Sequence, residues 1–352
     1  MTESDPILET RGLEKYFDQN TSLIDTLLRR EDEKVQAIDG VSLALHSNES
    51  QGVIGESGCG KTTLLKTLIG LYTPTGGEIR FRGNDISEFD RSDWKEFRRN
   101  VQIIFQDPFD SLDPKLTIRE ALQEPLKIHN ISNQEERIRN VLEQVELNPP
   151  EKYLDRFPNQ MSGGELQRVS IARALILEPE VILADEPVSM LDVSTQASIL
   201  NLLSELTEDL DVSMFYISHD LSTVSYVCDR INVMYLGRIV ESAPTTQLLD
   251  DPQHPYSQAL IDAVPIPDPN YGRGYTSLEG DVQNPVGIGE GCRFRERCPE
   301  RMDICEKTPE FIDMESMDAH QVACHLHYDH PTDEGTEDEN TDEIRAKTEV
   351  ST

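Results

Sequence analysis

The 352-residue chain carries 66 Asp and Glu against 32 Lys and Arg, a formal net charge of −34. A surface this negative repels phosphate backbones and anionic lipid, which excludes a nucleic-acid coat protein and a basic-patch lipid binder. With a mean hydropathy of −0.49, no apolar run near the ~20 residues that span a bilayer and no basic or apolar leader in Met1 to Asp5, the expectation is a cytoplasmic protein.

In chain order, residues 7 to 105 alternate short β-type runs with turns: ILETRGLEKYF, VSLAL, QGVIG, EIRFRG and NVQIIFQ read as strands. One clear amphipathic helix, KTTLLKTLIGL, starts straight after a Gly-rich turn. From 116 to 177 the period becomes helical, with Ile138, Val141, Leu142 and Val145 on one face and ELQRVSIARALIL following a Ser-Gly-Gly start. VILADE, DVSMFYIS and RINVMYL then read as buried parallel strands joined by crossover helices, so the expected class is α/β. Residues 264 to 291 are Pro- and Gly-rich and read as a linker or an irregular extended segment. A small Cys-containing module follows, 292 to 328. The end, 329 to 352, holds nine acids against two bases, too little apolar surface to offset chain entropy, and is expected to be disordered.

Gly55, Glu56, Ser57, Gly58, Cys59, Gly60, Lys61 and Thr62 match G-x-x-x-x-G-K-[ST] between a strand and a helix. The glycines let backbone N–H groups converge on a phosphate, the helix presents its positive end, Lys61 reaches the terminal phosphate oxygens and Thr62 offers a hydroxyl to Mg²⁺. Ordinary residue frequencies give the four fixed positions by accident in roughly one sequence of this length in a hundred. The strand Val181 to Ala184 ends in Asp185 and Glu186. A carboxylate delivered at a strand end can hold Mg²⁺, and the next can accept a proton from an attacking water; an acidic turn is the bland alternative.

Between these elements stands Met161-Ser162-Gly163-Gly164-Glu165, and here the chain resembles the ATP-binding-cassette (ABC) ATPases. Their signature is L-S-G-G-Q, so Met161 and Glu165 are mild departures. Gln106 at the end of NVQIIFQ resembles the Q-loop glutamine, Ser189 to Asp192 the D-loop, and His219 the switch histidine. Phe17, with Tyr16 as alternative, stands where the family stacks an aromatic on adenine. The resemblance implies a P-loop ATPase with a RecA-like core, an antiparallel β subdomain, an inserted helical subdomain near 108 to 178 and a small C-terminal Cys module. It implies domains of 5 to 250 and 251 to 328 ahead of the acidic tail. It also implies that ATP and Mg²⁺ are held by Phe17, Gly55, Ser57, Gly58, Cys59, Gly60, Lys61, Thr62, Thr63, Gln106 and Asp185. Ser162, Gly163, Gly164 and Asp192 serve the site of a head-to-tail partner, Glu186 is the general base, and His219 and Gln106 act on the γ-phosphate.

The run from Gln106 to Pro114, His254-Pro255-Tyr256, AVPIPDP and GCRFRERCPERMDIC resemble the oligopeptide/dipeptide importer ATPases, and an insertion from Asp18 to Val35 resembles the second, F-type, of their two ATPase subunits. The implied partners are two integral-membrane permeases, a second cassette (a homologue or the chain itself) and an extracytoplasmic solute-binding protein, at the cytoplasmic face of the membrane; nucleic acid is not among them. The rival is a non-transport ABC ATPase of DNA repair or translation, for which the chain has neither tandem cassettes nor a basic surface. Cys292, Cys298, Cys305 and Cys324, with 5, 6 and 18 residues intervening, match neither zinc pairs nor ferredoxin runs. Some members of the resembled group carry a [4Fe-4S] cluster here. Zinc with His320, His325 or His327, and free packed thiols, are the other readings. The acid spread over the body fits a protein kept soluble in high salt, as in a haloarchaeal cytoplasm.

Overall fold

A computed structural model describes residues 5–18, 34–263, 286–314, 317 and 319–328. The expected insertion (19–33), most of the linker (264–285) and the acidic tail (329–352) lie outside the described residues.

The first half builds two sheets. Strands β1 (Leu8–Asp18) and β2 (Lys34–Leu45) pair antiparallel from Leu8 opposite Leu45 to Asp18 opposite Lys34. Strand β3 (Ser50–Ile54) leads through the glycine loop into helix α1 (Lys61–Leu68). Then come β4 (Gly76–Phe81), β5 (Asn84–Asp85), helix α2 (Arg91–Asn100) and β6 (Val101–Ile104). The antiparallel sheet has the order β2-β1-β4-β5. Helix α2 corrects the expectation of one helix before residue 105. It was hidden because it is mostly polar, with Phe97 as its only buried residue. Its start is nonetheless written in the sequence: Asp90 accepts the Ser92 and Asp93 N–H groups, and Asp93 accepts the Asp90 N–H in return. The strand NVQIIFQ also ends earlier than expected, at Ile104, so Gln106 lies two residues beyond it.

The helical block follows: α3 (Ile118–Ile128), α4 (Gln134–Gln144) and α5 (Gly163–Leu175). Their apolar faces meet in one core through Ile118, Leu122, Leu126, Ile138, Leu142 and Val169, all fully buried. Strand β7 (Val181–Asp185), helix α6 (Val193–Asp209), strand β8 (Ser213–Ser218), helix α7 (Leu221–Val227) and strand β9 (Arg230–Tyr235) complete the parallel part. Strand β10 (Arg238–Pro244) turns back antiparallel to β9, and helices α8 (Thr245–Asp250) and α9 (Pro255–Asp262) pack beyond it. Two-residue strands β11 (Ile312–Asp313) and β12 (Gln321–Val322) come from the Cys-containing module. The second sheet has the order β11-β12-β10-β9-β3-β8-β7-β6, so the module is not an appendage but the edge of the main sheet.

Strands β7 and β8 read as nearly continuous apolar runs because both faces are covered. In β7, Ile182 and Ala184 face the core shared with the helical block, while Val181 and Leu183 face the core shared with α1 and the antiparallel sheet. Leu64 and Leu65 of α1 are fully buried in that second core, each side chain worth about 2 kcal/mol of hydrophobic transfer. That packing fixes the helix whose first turn meets the glycine loop.

Candidate active site

Helix α1 begins at Gly60, whose φ of 112° opens the chain for the loop's last turn; a Cβ there would run into the Ala37 carbonyl. The loop, the start of β2 and the ends of β7 and β8 surround an open cavity of ≈ 560 Å³. It is lined by Phe17, Val35, Ala37, Ser57, Gly58, Gly60, Lys61, Thr62, Thr63, Gln106, Glu186 and His219. The sequence-predicted residues from five separate stretches thus meet in one place. Val35 and Ala37, which sequence reasoning missed, supply an apolar wall beside Phe17.

Lys61 Nζ donates to the carbonyls of Gly55 (2.7 Å) and Glu56 (3.1 Å), which folds the ammonium back over the loop. Thr62 Oγ1 lies 3.4 Å from Asp185 Oδ1. Burial, and after it the charge of Glu186, push the Asp185 carboxyl above the ordinary carboxylate range, a strain that a cation at this point relieves. A hydroxyl and a carboxylate are the hard oxygen donors that Mg²⁺ selects, so these residues fit it.

Glu186 follows β7 with φ 44°, in the left-handed region, which turns its side chain back toward the cavity. The turn is held by the Glu186 N–H donating to Ile217 O (2.9 Å) and by Ser189 Oγ donating to Glu186 O (3.0 Å). Gln106 Nε2 donates to Glu186 Oε2 (3.1 Å) and to Ser189 Oγ (3.2 Å), and His219 Nδ1 is 3.0 Å from Glu186 Oε1. One carboxylate therefore sits between the glutamine and the histidine, with an open cavity in front of it.

Phe17 lies edge-on to Tyr72 with centroids 5.4 Å apart, and Lys15 Nζ stands 5.0 Å from its ring. The alternative aromatic, Tyr16, is engaged elsewhere: its hydroxyl donates to Asp39 Oδ1 (2.5 Å). Cys59 is buried, which pushes its thiol up, and its sulfur lies 3.9 Å from Lys61 Nζ.

Ser162, Gly163, Gly164 and Asp192 are not part of the cavity lining. Ser162 caps α5 in a reciprocal box with Glu165, donating its hydroxyl to Glu165 Oε2 (3.1 Å). Asp192 caps α6, and the hydroxyls of Ser194 and Thr195 hold its carboxyl down at about 2. A Cβ on Gly164 would press on Thr195 Cγ2, so glycine lets the start of α5 lie close against α6 without moving that side chain.

Cys292, Cys298, Cys305 and Cys324 are free thiols, and Cys324 lies within electrostatic reach of the other three. Burial pushes the Cys292 thiol up, Cys298 to about 11 and Cys324 to about 12. Among the described residues no group of three or more His, Cys, Asp or Glu side chains is placed to hold a metal ion. The four sulfurs are thus not arranged as a ligand set for an iron-sulfur cluster or zinc.

The sequence pattern of the ABC transporter family matches residues 38–189, and that of the oligopeptide/dipeptide transporter C-terminal region matches residues 240–305. The chain is 44% identical over 328 residues to the oligopeptide transport ATP-binding protein AppF of Bacillus subtilis, covering 91% of this chain and 97% of the relative. It is 43% identical over 296 residues to the oligopeptide transport ATP-binding protein OppF of Salmonella typhimurium, covering 82% and 87%. Among solved structures, the dimeric structure of MJ0796, a bacterial ABC transporter cassette, aligns with a TM-score of 0.59 at 28% identity, over 68% of this chain and 98% of that one. A post-hydrolysis state of the same cassette bound to ADP and Pi aligns with a TM-score of 0.58. None of these relatives bears on the high-salt expectation.

Proposed function

This chain belongs to the ABC transporter family and is the ATP-hydrolysing subunit of an importer; from that premise we propose that it drives uptake of di- or oligopeptides and that the cavity residues divide the work as follows. Lys61 swings from the loop carbonyls to the β- and γ-phosphates, whose charged oxygens are stronger acceptors for its ammonium than the Gly55 and Glu56 carbonyls. Thr62, Gln106 and Asp185 would hold Mg²⁺, which would supply positive charge against the phosphates. Phe17 stacks on the adenine, with Val35 and Ala37 beside it.

Glu186 takes the proton of the attacking water at its carboxylate. His219 contacts the γ-phosphate, and the histidine and Gln106 meanwhile fix the rotamer of Glu186 through its two oxygens. Gln106, two residues past β6 and just ahead of the helical block, carries site occupancy to that block. Ser162, Gly163, Gly164 and Asp192 complete the site of a second cassette packed head to tail. The end of α5 offers that site its positive pole.

The observation that carries this reading is the convergence of Lys61, Thr62, Gln106, Glu186 and His219 on one cavity. Residues 5 to 250 form the nucleotide-binding domain on this reading, with the helical block about 108 to 178, and 251 to 328 the C-terminal region. No helix among the described residues is long and apolar enough to cross a membrane. On the importer reading the subunit sits at the cytoplasmic face, docked to two permeases. A solute-binding protein outside delivers the cargo. No step is assigned to a cluster or to zinc.

The test is purification of the tagged full chain in mild detergent, followed by reconstitution in vesicles. Co-purifying permeases and peptide uptake that stops without ATP support the reading. Co-purifying ribosomes or DNA would favour the non-transport alternative instead.

A further inference from the structure

Glu56 is the first residue after Gly55 in the phosphate loop, and all three of its polar groups are tied. Its carbonyl accepts from Lys61 Nζ, within the loop. Its N–H donates to the Tyr256 hydroxyl at 2.9 Å. Its carboxylate takes a two-pronged contact from Arg297, Nη1 to Oε2 at 2.8 Å and Nη2 to Oε1 at 3.0 Å. Two of the three ties therefore come from chain beyond residue 251, which the catalytic reading leaves without a role.

Arg297 is built for this contact. Its side chain is 7% exposed, against 24% for Glu56. Its N–H donates to Phe294 O, and Phe294 is buried between Tyr235 and Tyr256 at centroid distances of 5.3 and 5.4 Å. The same turn is stitched to the cysteine-bearing segment by the Cys292 N–H donating to Cys305 O at 2.9 Å. On the adenine side of the cavity Arg293, also from this turn, pairs with Asp39, the carboxylate that Tyr16 beside Phe17 donates to.

We propose that the C-terminal module acts on the nucleotide site, with Arg297 as a positioning residue that anchors the phosphate loop at Glu56 and cancels the charge of that carboxylate. An unpaired carboxylate in the loop would oppose the negative charge of a triphosphate. Arginine removes that repulsion, and its planar fork, unlike a lysine, also fixes where the loop stands. The arrangement makes ATP affinity depend on whether the module is docked. This deepens the nucleotide-site reading and rests on it.

The test uses the purified full chain, with MgATP binding measured by titration and KM and kcat measured in the assembled transporter, for wild type, Arg297→Lys, Arg297→Gln, Glu56→Gln and the double variant Glu56→Gln with Arg297→Gln. Arg297→Gln is expected to weaken MgATP binding about tenfold and to raise KM with kcat little changed, while Arg297→Lys recovers part of the loss. In the Glu56→Gln background the same replacement is expected to change binding by less than about twofold, since the two residues act as a pair. Unaltered MgATP binding in Arg297→Gln, or an equal loss with and without Glu56, overturns the proposal. If Arg297→Gln does not fold, Arg297→Lys in the two backgrounds makes the same comparison. Wild type that binds no MgATP would overturn the nucleotide-site reading itself, whereas wild-type binding with an indifferent Arg297 overturns only this inference.

Discussion

His254 gives a stability prediction with a definite sign. Its residue is 1% exposed, and its Nδ1 accepts the Tyr256 N–H at 3.0 Å to cap α9. The ring must therefore be neutral, with its proton on Nε2. Burial first of all pushes its pKa from 6.5 down to about 4; His327 adds to this and the charge of Glu241 opposes it. The unfolded chain binds this proton at 6.5 and the folded chain only near 4, so in that window the unfolded state holds more protons and stability falls as pH falls. The full effect, reached near pH 4, is roughly 3 kcal/mol, a large share of a typical folding free energy of about 5–15 kcal/mol. Burial raises the pKa of Glu241, but hydrogen bonds from His320, Ser257 and two backbone N–H groups outweigh it and hold the carboxyl below its ordinary value, so its contribution too is lost on acidification. The assay is denaturant unfolding from pH 8 to 4 at fixed salt, comparing wild type with His254→Asn, which keeps a capping acceptor and does not titrate. The expected result is a wild-type curve steeper by about 3 kcal/mol between pH ~6.5 and ~4. Parallel curves would refute the assignment of a buried neutral imidazole.

Other consequences are simpler to measure. Gly60→Ala places a Cβ against the Ala37 carbonyl at a φ of 112°, and is expected to weaken MgATP binding at least ~10-fold while the melting temperature drops by only a few degrees. Titration with MgATP beside a thermal melt separates the two. The net charge of −34 predicts that lowering salt from molar to millimolar concentrations destabilises the fold and weakens pairing of cassettes, because screening of like charges is lost. Thermal melts and light scattering across a salt series read this directly, and a melting temperature that does not depend on salt contradicts it.

How much of this could be read in the sequence depended on what surrounds each segment. Strands β7 and β8 are covered on both faces, so they stood out as apolar runs. The phosphate loop was legible because its backbone geometry admits few residue types. Helix α2 was not, since a helix that buries Phe97 alone has no apolar stripe to recognise. Strand β10 was missed because Glu241 in its middle breaks the pattern, and that glutamate is tolerable because distant groups pair with it: His320, 79 residues away, at 2.7 Å, and the N–H groups of Gln253 and His254. The two-residue strands β11 and β12 exist only because the edge of β10 was waiting for them. Arg297 and Glu56 are 241 positions apart, and no local pattern announces such a pair. The cysteines show the converse: their number suggested a ligand set, and the positions of the sulfurs do not supply one.

The central claim is that Glu186, held between Gln106 and His219, is the group that accepts the proton of the attacking water. MgATP turnover by the assembled transporter carrying Glu186→Gln tests it most directly, because glutamine keeps the shape and removes the base. The account predicts a fall of about 10²–10⁴-fold in turnover, with MgATP still bound and the paired cassettes persisting. Undiminished turnover would contradict it.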